Sequence, residues 1–102
     1  MPRKSRIDAP GALQHVIGRG IGRQAIFSDK ADYKDFVYRL GQILLETNTS
    51  CYAWALIPNH FHVLLKTGDV PVSRVMQSLL TGYVVNYNRR HRRFGHLFLS
   101  EA

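Results

Sequence analysis

The sequence has almost no cysteine and no long apolar run, and each shortage excludes a class of protein. Cys51 is the single cysteine among 102 residues, so an internal disulfide and a cysteine-rich zinc site are both excluded. No segment approaches the roughly 20 apolar residues of a membrane helix, and the start lacks the apolar part of a secretory signal. These absences predict a cytoplasmic protein without a membrane partner.

Acidic residues are also scarce, which leaves the chain strongly basic. Seven Asp and Glu residues stand against 14 Lys and Arg residues, giving a formal charge of +7. Residues 1–27 and the residues from 71 onward each carry five basic side chains and one acidic side chain, whereas the middle is balanced. Such basic ends suit a polyanion, most commonly a nucleic acid, although a surface that serves only solubility is the alternative.

The remaining composition is that of a folded protein. Apolar residues make up 45% of the chain and aromatic residues 11%, which is too many for a disordered basic tail. The length suits one domain with a small core. We therefore expect residues 1–102 to form a single domain, after a basic and mobile start.

The periodicity of apolar residues predicts two helices. Ser28 and Asp29 offer N-cap oxygens to the first helix, and Ser73 is expected to cap the second. In both segments apolar residues recur at helical spacing. The predicted buried stripes are Tyr33, Phe36, Val37, Leu40 and Leu44 in the first helix, and Met76, Leu79, Leu80, Tyr83, Val84 and Tyr87 in the second.

Strand patterns surround these helices and predict the fold class. Residues 11–20 read as a first strand, 51–57 and 60–66 as a hairpin, and 96–99 as the start of a fourth strand. The order strand-helix-strand-strand-helix-strand predicts an α+β fold, a ferredoxin-like antiparallel sheet with both helices on one face. The other face is then open, and the first and third strands lie side by side.

The segment His60-Phe61-His62 carries the clearest chemical signal. Strand side chains alternate between faces, so both imidazoles point the same way while Phe61 points to the core. His15 is expected near them on the open face. Two imidazoles suit a divalent ion such as Mn²⁺ or Mg²⁺, although such a pair on its own is more often structural.

Two groups of arginines are candidates for nucleic-acid contact. Arg19 and Arg23 flank a loop that contains Gly20 and Gly22, which resembles a phosphate-binding loop but is also compatible with an ordinary turn. A second group follows the second predicted helix, where a solvated helix end is the alternative. It consists of Arg89, Arg90, Arg92 and Arg93.

These segments together resemble a known family. The run from Ile57 to Leu65 is similar to the histidine-hydrophobe-histidine (HUH) motif of single-tyrosine transposases, especially the branch of repeat-associated transposases. The resemblance covers nearly the whole chain in several short matches. The further matching segments are residues 2–6 with 11–12, 15–20, 25–27, and 88–91 with 95–98.

The resemblance implies a DNA-nicking and rejoining enzyme of transposition. His60 and His62 would hold the divalent ion, and a tyrosine would attack single-stranded or hairpin DNA to give a 5′-phosphotyrosine and a free 3′-hydroxyl. The family places this tyrosine on a helix after the segment that matches His96–Phe98, so we expect it beyond Ala102. Members of the family act as homodimers or as monomers.

Within the chain, Tyr83 and Tyr87 are the candidate nucleophiles, although both fall on a predicted apolar stripe and are more simply explained as core residues. Trp54 is interpreted as a core or dimer-interface residue. The alternative function is a catalytically inactive nucleic-acid-binding module on the same fold.

Overall fold

The computed structural model describes residues 11–99, and the predicted basic start lies outside them. The order of elements confirms the prediction, and a short 3₁₀ turn at Ile21–Arg23 follows the first strand. The elements are β1 (Leu13–Arg19), α1 (Lys30–Thr47), β2 (Ser50–Ile57), β3 (His60–Lys66) and α2 (Val72–His91).

The three strands form one antiparallel sheet in the order β1-β3-β2. β3 lies at the centre, so β1 and β3 are neighbours, as predicted. In the register, His60 lies opposite Arg19 on one side and opposite Ile57 on the other. The strand that carries the two histidines is therefore flanked on both sides by paired backbone.

The predicted fourth strand is present only as a single bridge. Phe98 pairs with Gly20, while the Ile21 amide donates to the Leu97 carbonyl at 3.0 Å and the Leu99 amide to the Arg19 carbonyl at 2.7 Å. The segment lies antiparallel to the end of β1, on the side away from β3. It falls within the predicted residues 96–99, but its ladder within residues 11–99 is shorter than a strand.

The two helix starts differ from each other. Asp29 caps α1 as predicted, because its carboxylate accepts the Asp32 amide while the Asp32 carboxylate accepts the Asp29 amide. The prediction that Ser73 caps α2 is wrong. α2 begins at Val72 after Pro71, whose carbonyl accepts two amides of the first turn. Pro71 is the N-cap residue and lies just before the helix, with φ −56° and an extended ψ of 142°.

Both helices pack against one face of the sheet. Phe61, Val63 and Leu65 of β3 are fully buried there, and they meet the buried stripe of α2 and the Phe36 side of α1. The predicted stripes are largely confirmed, but Val37 is 41% exposed. The interpretation of Trp54 as a core residue is wrong, since its side chain is 56% exposed, and a dimer interface stays a prediction. Val37 and Trp54 both line a shallow groove between α1 and β2, where neither helix covers the edge of the sheet.

Within residues 11–99, no helix is both long enough and apolar enough to cross a membrane.

Candidate functional site

The face of the sheet that the helices leave open carries the histidines. Phe61 and Val63 alternate with His60 and His62 along β3, and the latter two remain half-buried. Because paired residues in neighbouring strands share a face, Arg19 lies on the same side as His60. The predicted open face therefore carries the histidines, and Arg19 lies beside them.

The hydrogen bond of His60 selects its tautomer. Its Nδ1 lies 2.8 Å from Oδ1 of Asn59, and a carboxamide oxygen can only accept. Nδ1 therefore carries the proton, and the lone pair of Nε2 is available to a ligand. The turn that places Asn59 directly before β3 thus also sets which nitrogen of His60 faces outward.

His62 is engaged by a third histidine. Nε2 of His15 lies 3.0 Å from Nδ1 of His62, and the two rings are stacked with centroids 5.1 Å apart. The predicted proximity of His15 to the pair is confirmed. Desolvation lowers the pKa of His62, and the neighbouring cationic groups, His60 first among them, lower it further. The neutral imidazole that a metal ion requires is therefore favoured.

The donor set fits a divalent ion. The rings of His60 and His62 lie 5.0 Å apart, and each has its Nδ1 occupied by a partner within the protein. Histidines that ligate metals through Nε2 usually have their other nitrogen held in this way. The remaining ligands of Mn²⁺ or Mg²⁺ would be oxygens from substrate, water or other residues.

A cleft of about 330 Å³ opens beside His60, and Arg19 and Arg23 also line it. Gly22 and Arg23 have left-handed φ angles of 59° and 63°, which turn the chain sharply so that Arg23 lines the same cleft as Arg19. The other lining residues are Gly20, Gly22, Asn59, His60 and Leu99.

The loop that carries Arg23 is fastened to the turn before β3. The Gly20 amide donates to the Asn59 carbonyl at 3.0 Å, and the Ile26 and Phe27 amides donate to the Pro58 carbonyl at 2.7 and 3.1 Å. At Gly20 a Cβ atom would lie 2.2 Å from the Gln24 carbonyl oxygen, so only glycine allows this close turn. The two walls of the cleft are consequently joined by backbone hydrogen bonds.

The second arginine group lies at the end of α2, and its members differ. Arg90 forms ion pairs with Asp29 and Asp32, and Arg93 bonds to Asn88 and to the His96 carbonyl. Both side chains are thus occupied within the protein. Arg89 and Arg92 are exposed, and their side chains have no hydrogen-bond or ion-pair partner within residues 11–99.

A polar cluster that sequence inspection misses joins the two helices. Within residues 11–99, only Asp29, Asp32 and His91 bring three potential metal-ligand atoms within 4.8 Å of one another. The Asp32 carboxylate is 1% exposed and accepts the Ser28 amide at 2.8 Å, His91 Nε2 at 2.9 Å and the Arg90 guanidinium. Because a cation of the protein already neutralises it, we interpret the cluster as a structural clasp.

The candidate tyrosines lie on the helical side of the sheet, away from the histidines. Tyr83 is fully buried, and its hydroxyl donates to the Ile26 carbonyl. Burial raises the pKa of this hydroxyl well above its ordinary range. Tyr87 is 5% exposed, and its hydroxyl bonds to Ser28 Oγ at 2.7 Å. Both hydroxyls thus have hydrogen-bond partners within the protein.

Comparison with known proteins shows the fold. Neither the protein-family models nor the curated proteins that were searched match the sequence. A solved REP-associated tyrosine transposase, described as bound to a REP hairpin, has a TM-score of 0.73 at 13% identity, over 99% of this chain. A protein from Deinococcus radiodurans R1, provisionally described as a transposase, has a TM-score of 0.63 at 17% identity, over 87% of this chain.

The chain therefore has a transposase-like fold, in agreement with the resemblance of its sequence. It spans 59% of the length of the REP-associated transposase and 68% of that of the Deinococcus protein.

Proposed function

We propose that this chain is the DNA-binding nuclease core of a transposase, which nicks and rejoins single-stranded or hairpin DNA. The observation that carries the proposal is the cleft in which Arg19 and Arg23 meet His60. The guanidinium groups offer paired N–H donors for the oxygens of a phosphodiester. His60, with its free Nε2, lies beside them, where positive charge can stabilise the reacting phosphate.

The arginines of the cleft bind and orient the DNA backbone. A guanidinium group can donate two parallel hydrogen bonds to one phosphate, so Arg19 and Arg23 would hold the phosphodiester next to His60. An unpaired strand can bend into a cleft of about 330 Å³, whereas the backbone of a regular duplex is stiffer. The structural relative that is described as bound to a hairpin supports the same class of substrate.

His60 and His62 would hold a divalent ion, Mg²⁺ or Mn²⁺. When bound, such an ion supplies Lewis-acid polarisation of a phosphate oxygen. Asn59 and His15 hold the Nδ1 side of each ring, so that both Nε2 atoms remain free for this purpose. Arg19, on the same face, adds positive charge where negative charge develops on the phosphate.

The proposed reaction needs a tyrosine outside the core of this chain. The phenolic oxygen would bond to phosphorus, the bond to the 3′-oxygen would break, and that oxygen would leave with a proton as a 3′-hydroxyl. Tyr83 and Tyr87 are buried residues on the other side of the sheet, and both hydroxyls are hydrogen-bonded. We therefore propose that neither of them is the nucleophile and that another tyrosine, from this chain or from a second copy of it, completes the site.

The DNA-binding part of the proposal is tested by removing single charges. Arg19→Gln and Arg23→Gln should each weaken the binding of a labelled DNA hairpin with a single-stranded flank by about 10- to 150-fold, since a charge-assisted hydrogen bond contributes about 1.5–3 kcal/mol. Fluorescence anisotropy at fixed salt measures the affinity.

Arg74→Gln is the matched control, because this exposed residue of α2 is not part of the cleft. Its effect should be much smaller. Equal losses for all three variants would indicate unspecific attraction by the net charge and would contradict the proposed cleft.

A non-catalytic nucleic-acid-binding module is the second candidate, and the burial of Tyr83 and Tyr87 favours it. The two functions differ in covalent chemistry. With manganese and the same hairpin, a protein-DNA adduct that one tyrosine substitution abolishes supports the nuclease. Binding without an adduct supports the module. The cytoplasmic location and the homodimer stay predictions.

A further inference from the structure

We propose that His15 is a positioning residue, which holds His62 in the tautomer and orientation that leave its Nε2 free to bind a metal ion. This inference rests on the proposed role of His60 and His62 as metal ligands. It adds a residue from a different strand to the machinery and gives that residue a function distinct from ligation.

The position of His15 in the sheet brings it to His62. His15 lies opposite Leu64 in β3, and Ile17 lies opposite His62, so His15 and His62 are diagonal neighbours on the open face. Long side chains at diagonal positions of an antiparallel pair can reach one another. The rings are inclined by 24°, and Nε2 of His15 lies 3.0 Å from Nδ1 of His62.

The chemistry of this contact determines where the protons lie. Two neutral imidazoles form a hydrogen bond only if one nitrogen donates and the other accepts. If His62 is to bind a metal through Nε2, its proton must be on Nδ1. Nε2 of His15 must then be the acceptor, and His15 carries its own proton on Nδ1.

His60 has the equivalent arrangement with a different partner. Its Nδ1 donates to Oδ1 of Asn59 at 2.8 Å, and the corresponding contact of His62 with His15 is 3.0 Å long. In each proposed ligand, Nδ1 therefore donates to one acceptor of the protein, and Nε2 is left free for the metal ion. This repeated pattern is what ties His15 to metal binding rather than to a general polar surface.

The geometry argues against His15 as a third ligand. Its Nε2 points at Nδ1 of His62, which is the nitrogen that faces away from the proposed ion. In addition, no choice of one ring nitrogen from each of His15, His60 and His62 brings all three within 4.8 Å of one another; within residues 11–99 only Asp29, Asp32 and His91 meet that limit.

Two substitutions of His15 separate positioning from ligation. His15→Phe keeps a flat ring but removes the acceptor, and His15→Gln places an amide oxygen near the position of Nε2. His96→Phe applies the same change to an exposed histidine outside the site. Binding of Mn²⁺ to the intact protein is measured by electron paramagnetic resonance of the free ion. The tautomers are read from ¹⁵N spectra of the histidine rings without metal.

The proposal expects a loss of about tenfold in Mn²⁺ affinity for His15→Phe, which is in the range for partners of metal-bound histidines. His15→Gln should stay within about threefold of the native protein, and His96→Phe should have no effect. In the metal-free spectra, His62 should carry its proton on Nδ1 in the native protein and in His15→Gln, but shift toward Nε2 in His15→Phe.

The two readouts keep the proposals apart. If the native protein binds no Mn²⁺, the proposed metal site fails, while the tautomer of His62 still tests His15. A proton on Nε2 of His62 in the native protein, or a tautomer that His15→Phe leaves unchanged, overturns the positioning role. Equal loss of affinity in His15→Gln and His15→Phe, with an unchanged tautomer, identifies His15 as a ligand instead.

Discussion

Gly18 is the residue of β1 against which a core side chain packs directly. Its position faces Phe61, and a Cβ atom there would lie 2.1 Å from the Phe61 ring. No side chain can occupy that space without moving the ring. Phe61 stands between His60 and His62, so the packing that Gly18 allows also holds the backbone from which both histidines project.

Replacement of Gly18 should therefore cost stability. Gly18→Ala forces Phe61 or the strand to shift, and overpacking of this kind costs about 1–3 kcal/mol. Gly41→Ala is the control, since nothing lies within 4 Å of its added Cβ in α1, and it should instead stabilise the protein by about 0.5–1 kcal/mol. Urea denaturation measures both. A Gly18→Ala protein as stable as the native one would contradict the packing.

At the scale of elements, ion pairs join the start of α1 to the end of α2. The first turn of α1 supplies Asp29 and Asp32, and the last turn of α2 supplies Arg90 and His91. Acidic groups at a helix start and basic groups at a helix end are each favourable to the helix dipole. The clasp therefore stabilises both termini and fixes where α2 ends, just before Arg92 and Arg93.

The pH dependence of stability tests this clasp through Asp29. The hydrogen bond from Arg90 lowers the pKa of the Asp29 carboxyl below its ordinary value of 3.8. A lowered pKa in the folded state means that the stabilisation is present above the ordinary value and is lost as pH falls through the folded value. Asp29→Asn should thus be less stable than the native protein at pH 7, with a difference that shrinks below pH 3.8.

Midpoints of urea denaturation at several pH values measure that difference. Asp69→Asn is the control, because this exposed aspartate belongs to none of the ion pairs within residues 11–99. If Asp29→Asn behaves like Asp69→Asn at every pH, the ion pair with Arg90 does not contribute to stability.

Local patterns were enough to predict several elements. Alternation along β3 predicted which residues face outward, and the strand order predicted the proximity of His15, because both depend only on short-range periodicity and allowed connections. The start of α2 was missed, since Pro71 caps it through its backbone rather than through a side chain. The pairing of Asp32 with His91 joins residues 59 positions apart, and nothing in the local sequence marks it.

For the whole molecule, the arrangement of charge matters more than its amount. The chain carries a formal charge of +7, yet Arg90 and Arg93 are bound within the protein. The arginines that we propose for DNA contact lie in the cleft, at Arg19 and Arg23, and at the exposed end of α2, at Arg89 and Arg92. Composition predicted a basic protein, but only the fold separates structural arginines from available ones.

The salt dependence of DNA binding tests how many of these charges act. Each phosphate neutralised on a single strand contributes a slope of about 0.7 in a plot of log affinity against log salt. With one phosphate for each of these four arginines, affinity should fall about 50-fold between 50 and 200 mM salt. Titrations by fluorescence anisotropy at several salt concentrations measure the slope. An affinity that is independent of salt would contradict binding through phosphates.

The hydrogen bonds from residues 20–27 to Pro58 and Asn59 have a consequence for kinetics. They make the loop of Arg23 and the hairpin turn of His60 a single rigid unit. The conformational entropy of both segments is lost on folding, so an arriving strand has no disordered loop to organise. Association with DNA should therefore be a one-step process limited by encounter and orientation, without a slow isomerisation of the protein afterwards.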